Sequence, residues 1–204
     1  MEARKNHWEK VYHTKSSHEV SWYQSHPIIS LQWIQESGLS KEAAIIDIGG
    51  GDSLLVDHLL QLGYENITVL DISETAIQKS KARLGDREKK INWIVSDVLE
   101  LEPDKKYDLW HDRAAFHFLT EPTDIKKYVQ LAHQSIAENG CMIIATFSDE
   151  GPMKCSGLDI QRYSEKSMEN VWDSHFKLTD TLQKDHITPS GGKQNFLFSR
   201  FAKR

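Results

Sequence analysis

Apolar positions along the chain fall into two alternating rhythms. "AAIIDI" from Ala43, "NITVLDIS" from Asn66, "INWIVSD" from Ile91, "YDLWHD" from Tyr107 and "CMIIATF" from Cys141 are short apolar runs of strand length. Such runs predict buried strands. Between them the spacing changes to three and four. Ile28, Leu31 and Ile34 follow Pro27, and Leu55, Leu59 and Leu62 follow the first strand. Ile77, Ser80 and Leu84 form a third set, with Ser73 placed to cap it, and Ile125, Tyr128, Val129, Ala132 and Ile136 form a long fourth one. These predict helices, stopped near Gly38, Gly63, Gly85 and Asn139-Gly140. Strands alternating with helices predict a parallel sheet covered on both faces, with ligands bound at the carboxyl ends of its strands. The last part breaks the rhythm. A short helix near Ser164 to Trp172 is followed by "FKLTDTLQ", a Gly191-Gly192 turn region and "NFLFSRF". Two strands joined without a helix must pair antiparallel.

Composition narrows this picture. With 204 residues, 39% hydrophobic and 27% charged, the chain suits one domain over residues 1–204, with a helical cover over 1–40 and a core over 41–204. The formal charge of −5 argues against a nucleic-acid partner held by its phosphates. The basic run from Lys79 to Lys90 is interrupted by Asp86 and Glu88 and reads as a solvated helix end and loop. No apolar stretch has the length of a signal peptide or a membrane span, so a soluble, cytoplasmic protein without a membrane partner is expected. Cys141 and Cys155 offer neither a disulfide framework nor metal-ligand spacing, and reduced thiols are expected, with Cys155 a bystander in a polar loop.

The candidate chemistry starts at "IIDIGGGDS", where three glycines, Gly49, Gly50 and Gly51, separate a strand from a helix. A dinucleotide turn follows G-x-G-x-x-G, but its third position falls on Leu54, where close helix packing wants a small residue. No phosphate-gripping G-x-x-x-x-G-K-[ST] occurs. What remains is D-x-G-x-G-x-S, in which Asp47 suits a cation better than a pyrophosphate. Trp8 and Tyr12 lie four apart on one helical face and read either as a cover over the ligand or as core filling; Trp22 and Tyr23 add a second aromatic pair. His111, Asp112 and His117 raise a metal site, but no further clustered ligand supports it, and none is expected. The polar loop after Phe147, "SDEGPMKCSGLDI", has the length of a functional lid.

At this point the chain resembles the class I S-adenosylmethionine-dependent methyltransferases. "DIGGGDS" is similar to their first motif, "VLDIS" to the second-strand acid motif, "SDVLEL" to the adenine-side motif and "DLWHDRAAFHFL" to the strand-four segment. The resemblance implies a three-layer α/β/α Rossmann-like fold with a seven-stranded, mostly parallel sheet and a C-terminal antiparallel hairpin. It also implies S-adenosyl-L-methionine as cofactor. Gly49, Gly50 and Gly51 would let the backbone approach its amino-acid part, with Asp47 near the ammonium. Asp71, followed by Ile72 and Ser73, would take the ribose hydroxyls; Asp97 would take the adenine amino group while Val98 packs on the ring. Trp8, Tyr12, Trp22, His111 and Arg113 complete the expected cofactor contacts. Asp112 and His117 stand as catalytic candidates, a core histidine being the competing reading of His117.

"HWEKVY" with Asp112-Arg113-Ala114 further resembles a small bacterial group lying between thiopurine methyltransferase-like enzymes and the lysine methyltransferases of elongation factor or citrate synthase. Those lysine enzymes tend to carry Asp-Lys-Gly there, and the thiopurine-like pattern has Asp-Arg followed by glycine. A small-molecule acceptor is therefore expected, with a protein lysine as alternative and a nicotinamide oxidoreductase or a non-catalytic binding protein as more distant ones.

Overall fold

The strand that carries the glycine turn, β1 (Ala44–Ile48), is buried at every residue. It pairs in parallel with β2 (Asn66–Asp71) on one side and β4 (Tyr107–Arg113) on the other. With β3 (Ile91–Val95), β5 (Ile136–Phe147), β8 (Phe176–Ile187) and β9 (Lys193–Lys203) the sheet has the order β3-β2-β1-β4-β5-β9-β8. Strand β9 runs antiparallel between β5 and β8. This computed structural model describes residues 2–204. Its seven-stranded, mostly parallel sheet with a C-terminal antiparallel pair is the architecture the sequence predicts.

Helices α2 (Ile28–Glu36), α3 (Leu55–Gln61) and α4 (Glu74–Leu84) cover one face, where Leu31, Ile34, Leu59 and Ile77 join a core with Ile45, Leu109 and Ile143. On the other face α5 (Pro122–Ser135) and α6 (Glu165–Trp172) bring Tyr128, Ala132 and Trp172 to Ile46, Trp110 and Ile144. Burial of each such leucine or isoleucine side chain stabilises by about 1.5–3 kcal/mol. Side chains of a strand alternate between faces. Along β4, Leu109 belongs to the α2–α4 side and Trp110 to the α5 side, so His111 and Arg113 share the first face and Asp112 points to the second.

Helix α1 (Glu2–Thr14) lies outside these layers and docks on α4. Its Glu9 accepts from the Glu74 and Thr75 N–H groups at 2.6 and 3.2 Å and from Ser73 Oγ at 3.2 Å, at the N-terminal end of α4. Burial opposes the Glu9 charge, but those donors prevail and hold its carboxyl below the usual value. Arg83 of α4 is braced rather than freely solvated. It donates to Asp57 Oδ2 at 2.9 and 3.1 Å and to the Ser53 carbonyl at 2.8 Å, tying α4 to the glycine turn.

Three local expectations are corrected. Helix α5 ends at Ser135, and Ile136 opens β5 instead of closing the helix. From Tyr107↔Ile136 to Leu109↔Cys141 the ladder advances two residues on β4 and five on β5. Asn139-Gly140 is therefore part of an irregularity inside the strand, where a Cβ on Gly140 would meet Ile136 Cγ2 at 2.6 Å. The polar loop after Phe147 contains a small hairpin, β6 (Lys154–Cys155) and β7 (Leu158–Asp159), which buries Cys155 to 3% exposure. Ala114 has φ 69°, a left-handed conformation that costs a residue with a Cβ about 1–2 kcal/mol. The glycine of related patterns at this position has that physical reason. Ala114→Gly is expected to stabilise the fold by about 0.5–1 kcal/mol in urea unfolding.

Candidate active site

The carboxyl ends of β1 to β4 open into one cleft of two adjoining chambers. The larger, about 720 Å³ with its open mouth, takes Gly49 from the β1 end, Asp71 and Ile72 from the β2 end, Asp97 and Val98 after β3, and Arg113 from β4. Trp8 and Tyr12 of α1 and Trp22 form its roof. Ring centroids of Trp8 lie 5.6 Å from Trp22 and 5.0 Å from Phe118, edge to face. The two readings of the α1 aromatics merge here, since Trp8 and Tyr12 are buried and also line the cleft. The second chamber, about 590 Å³, is lined by Asp47, Gly49, Gly50 and His111. It shares Tyr12, Trp22 and Arg113 with the first.

The glycines are required by close approach. A Cβ on Gly51 would fall 2.6 Å from Asp71 Oδ2, one on Gly49 2.7 Å from the Ala115 Cβ, and one on Gly50 2.6 Å from Asp47 Oδ2. Gly49 and Gly51 also have φ of 65° and 39°. Ser73 does not line the cleft; its N–H donates to Asp71 Oδ1 at 2.8 Å while its Oγ caps α4 through Ala76 N–H at 3.1 Å. Asp71 is 4% exposed. Burial, with the Asp47 and Glu9 charges nearby, pushes its carboxyl up to about 7 despite the bond from Ser73. Donors supplied by a ligand would relieve that cost. Asp97 accepts from Leu99 N–H at 3.0 Å and from Arg4 Nη1 at 3.2 Å, and Arg4 also reaches Asp124 at 3.4 Å.

Register places Asp47 of β1 directly beside His111 of β4. His111 Nδ1 lies 2.6 Å from Asp47 Oδ1 and its Nε2 2.9 Å from Ser30 Oγ on α2. His111 thus reaches the cleft wall with both ring nitrogens committed, and it steadies Asp47. Arg113 pairs with neither Asp112 nor Asp71. Its Nη1 donates to the Trp22 carbonyl at 2.9 Å.

Asp112 and His117 do not reach the cleft. Asp112 is fully buried on the α5 face, where it accepts from the Ala115 and Phe116 N–H groups at 2.9 and 3.1 Å and from the Tyr128 hydroxyl. Its carboxylate organises the turn after β4. His117 sits in a single helical turn, Phe116–Phe118, fully buried, and its Nδ1 accepts from Phe147 N–H at 3.3 Å. Burial, with the Arg113 charge nearby, depresses its pKa to about 3. An NMR titration is expected to find this ring neutral at every pH where the protein remains folded; an imidazolium signal near neutral pH would contradict the core placement. Burial also pushes the Cys155 thiol up to about 12, against the pull of Arg113, which suits an unreactive cleft wall. Among the described residues no three His, Cys, Asp or Glu side chains converge as metal ligands.

Sequence reasoning missed Arg4, Ser30 and the cleft-lining role of Cys155. Arg4 and Ser30 act across 93 and 81 residues of chain, and no local pattern announces them. The position of Asp112 did have a signal, since it shares the phase of Trp110 along β4 rather than that of His111 and Arg113.

A doubly wound sheet, a glycine turn after β1 and acids at or just past the ends of β2 and β3 are the architecture of the class I methyltransferase fold. Residues 45–140 match the family described as a methyltransferase domain. Among curated relatives, the malonyl-[acyl-carrier protein] O-methyltransferase of Anoxybacillus flavithermus is 36% identical over 107 residues, which are 52% of this chain and 39% of that protein. The eEF1A lysine and N-terminal methyltransferase of Bos taurus is 24% identical over 136 residues, 66% of this chain and 19% of that protein. The chain thus spans well under half the length of these relatives. The N-methyltransferase NodS of Bradyrhizobium japonicum, solved with S-adenosyl-L-homocysteine, superposes with a TM-score of 0.73 at 16% identity, covering 96% of this chain and 97% of that one.

Proposed function

We propose that this protein transfers a methyl group from S-adenosylmethionine to a small-molecule acceptor. The observation that carries the reading is the convergence of Gly49, Asp71 and Asp97, from the ends of three successive strands, on one roofed cleft. The residues fit the cofactor by their chemistry. Asp71 is a buried acid that gains from the two donors of a ribose diol, Asp97 accepts at the adenine side with Val98 against the ring, and Asp47 faces the ammonium end. When bound, S-adenosylmethionine supplies a methyl group made electrophilic by its sulfonium sulfur. The chain's own residues hold, orient and keep water out: α1 with Trp8 and Tyr12 roofs the cleft, and Arg4 bridges α1 to Asp97. Such positioning supplies most of the advantage that in-line transfer needs.

Asp112 and His117 both face away from the cleft, so the reading favours an acceptor that arrives with a free lone pair, such as a carboxylate or thiolate. Asp112 acts as a positioning residue for the β4 turn. We place the protein in the cytoplasm, consistent with two free cysteines; among the described residues no helix is long and apolar enough to cross a membrane. Incubation with methyl-labelled S-adenosylmethionine and, in parallel, a small-acceptor panel and a cell lysate tests the proposal. Label on small molecules supports it, and label on lysate protein would replace it with the lysine alternative. Failure to bind S-adenosylhomocysteine by calorimetry would remove the methyl-donor reading altogether.

A further inference from the structure

The guanidinium of Arg113 stands where the two chambers meet and lines both. Its Nη1 is spent on the Trp22 carbonyl, and its Cζ lies 4.9 Å from the centre of the Phe196 ring. Those contacts set the plane of the group. Its Nε and Nη2 are buried, and no acceptor among the described residues takes either. The other arginine of the cleft, Arg4, is by contrast paired with Asp97 and Asp124. Burial lowers the Arg113 pKa to about 10, which leaves it charged at neutral pH.

A buried cation without a counter-anion is costly, and the cost is recovered when a ligand supplies one. Nε–H and Nη2–H project side by side from one edge of the guanidinium, at the spacing of the two oxygens of a carboxylate. Trp22, Phe118 and Cys155 line the larger chamber together with Arg113. We propose that Arg113 is a carboxylate-binding fork, which rests on the reading of this cleft as that of a methyl donor and its acceptor. Two ligands of that reading carry the group: the amino-acid end of the cofactor and an acidic acceptor.

Calorimetry with S-adenosylhomocysteine and its decarboxylated analogue, on the wild type, Arg113→Gln and Arg113→Lys, separates the sources. If the fork holds the cofactor, the wild type prefers the carboxylate form by about tenfold or more, Arg113→Gln abolishes the preference, and Arg113→Lys retains part of it. If it holds the acceptor, Arg113→Gln leaves both affinities unchanged. Butyrate, but not butyramide, then raises the melting temperature of the wild-type S-adenosylhomocysteine complex and has no such effect on the variant. The proposal is overturned if the wild type shows neither preference, or if Arg113→Gln alters neither. Should the wild type bind no adenosyl compound, the methyl-donor reading falls, and the butyrate and butyramide shifts on the free protein decide the fork by themselves.

Discussion

Asp71→Ala is expected to weaken S-adenosylhomocysteine binding about 100-fold, the largest effect of any single change in the cleft. Two hydrogen bonds from a ribose diol to an ionised carboxylate are each worth about 1.5–3 kcal/mol, and a loss near 3 kcal/mol is about two decades of affinity. Unchanged affinity would contradict the ribose assignment. The same residue makes a second, opposite prediction for the free protein. Burial lifts its carboxyl from an ordinary 3.8 to about 7. The folded state therefore holds a proton that the unfolded chain releases, and the associated stability is complete below about pH 4 and lost as pH rises through 7. Asp112, lifted by burial to about 6, acts in the same direction over a lower window. Asp71→Asn should flatten the upper part of this dependence and make the unliganded protein more stable than wild type at pH 8 in urea unfolding. A variant that loses stability at pH 8 would show that the carboxylate is not strained in the free cleft.

Asp112→Ala is expected to destabilise the fold by about 3–5 kcal/mol. Its carboxylate is the acceptor for Ala115 N–H, Phe116 N–H and the Tyr128 hydroxyl, and each buried donor left without a partner costs about 1–3 kcal/mol. Tyr128 keeps some compensation, since its oxygen also accepts from Trp110 Nε1 at 3.0 Å. Asp112→Asn retains one acceptor oxygen and should cost less. In the Asn variant, turnover per folded molecule and its pH profile should stay close to wild type, because the carboxylate faces α5 and not the cleft. A large fall in turnover with the fold intact would return Asp112 to a direct chemical role.

Much of this protein was legible because it is local. Runs such as "AAIIDI" and the three- and four-residue spacing of Ile77, Ser80 and Leu84 report strands and helices directly. Ser73 as the cap of α4 and the absence of a helix between β8 and β9 are likewise sequence properties. The glycine turn and the acids closing β2 and β3 are continuous motifs, so their meeting at one end of the sheet follows once the strands are parallel. Less visible were features that depend on a neighbour. The end of α5 at Ser135 is set by the pairing of Ile136 with Tyr107, and Cys155 is buried because the loop after Phe147 folds back on the cleft.

The sequence by itself determined the fold, the glycine turn and the acids at the strand ends, since these rest on periodicity and on contiguous motifs. The tertiary structure decided which side chains face the cleft. It turned Asp112 toward α5 and Arg113 toward the cleft, one residue apart, through the alternation of β4. It joined His111 to Ser30 and Arg4 to Asp97, and among the described residues it left Nε and Nη2 of Arg113 without an acceptor. Each of these depends on which surfaces become neighbours in space, and that proximity is settled by packing of distant segments rather than by spacing along the chain.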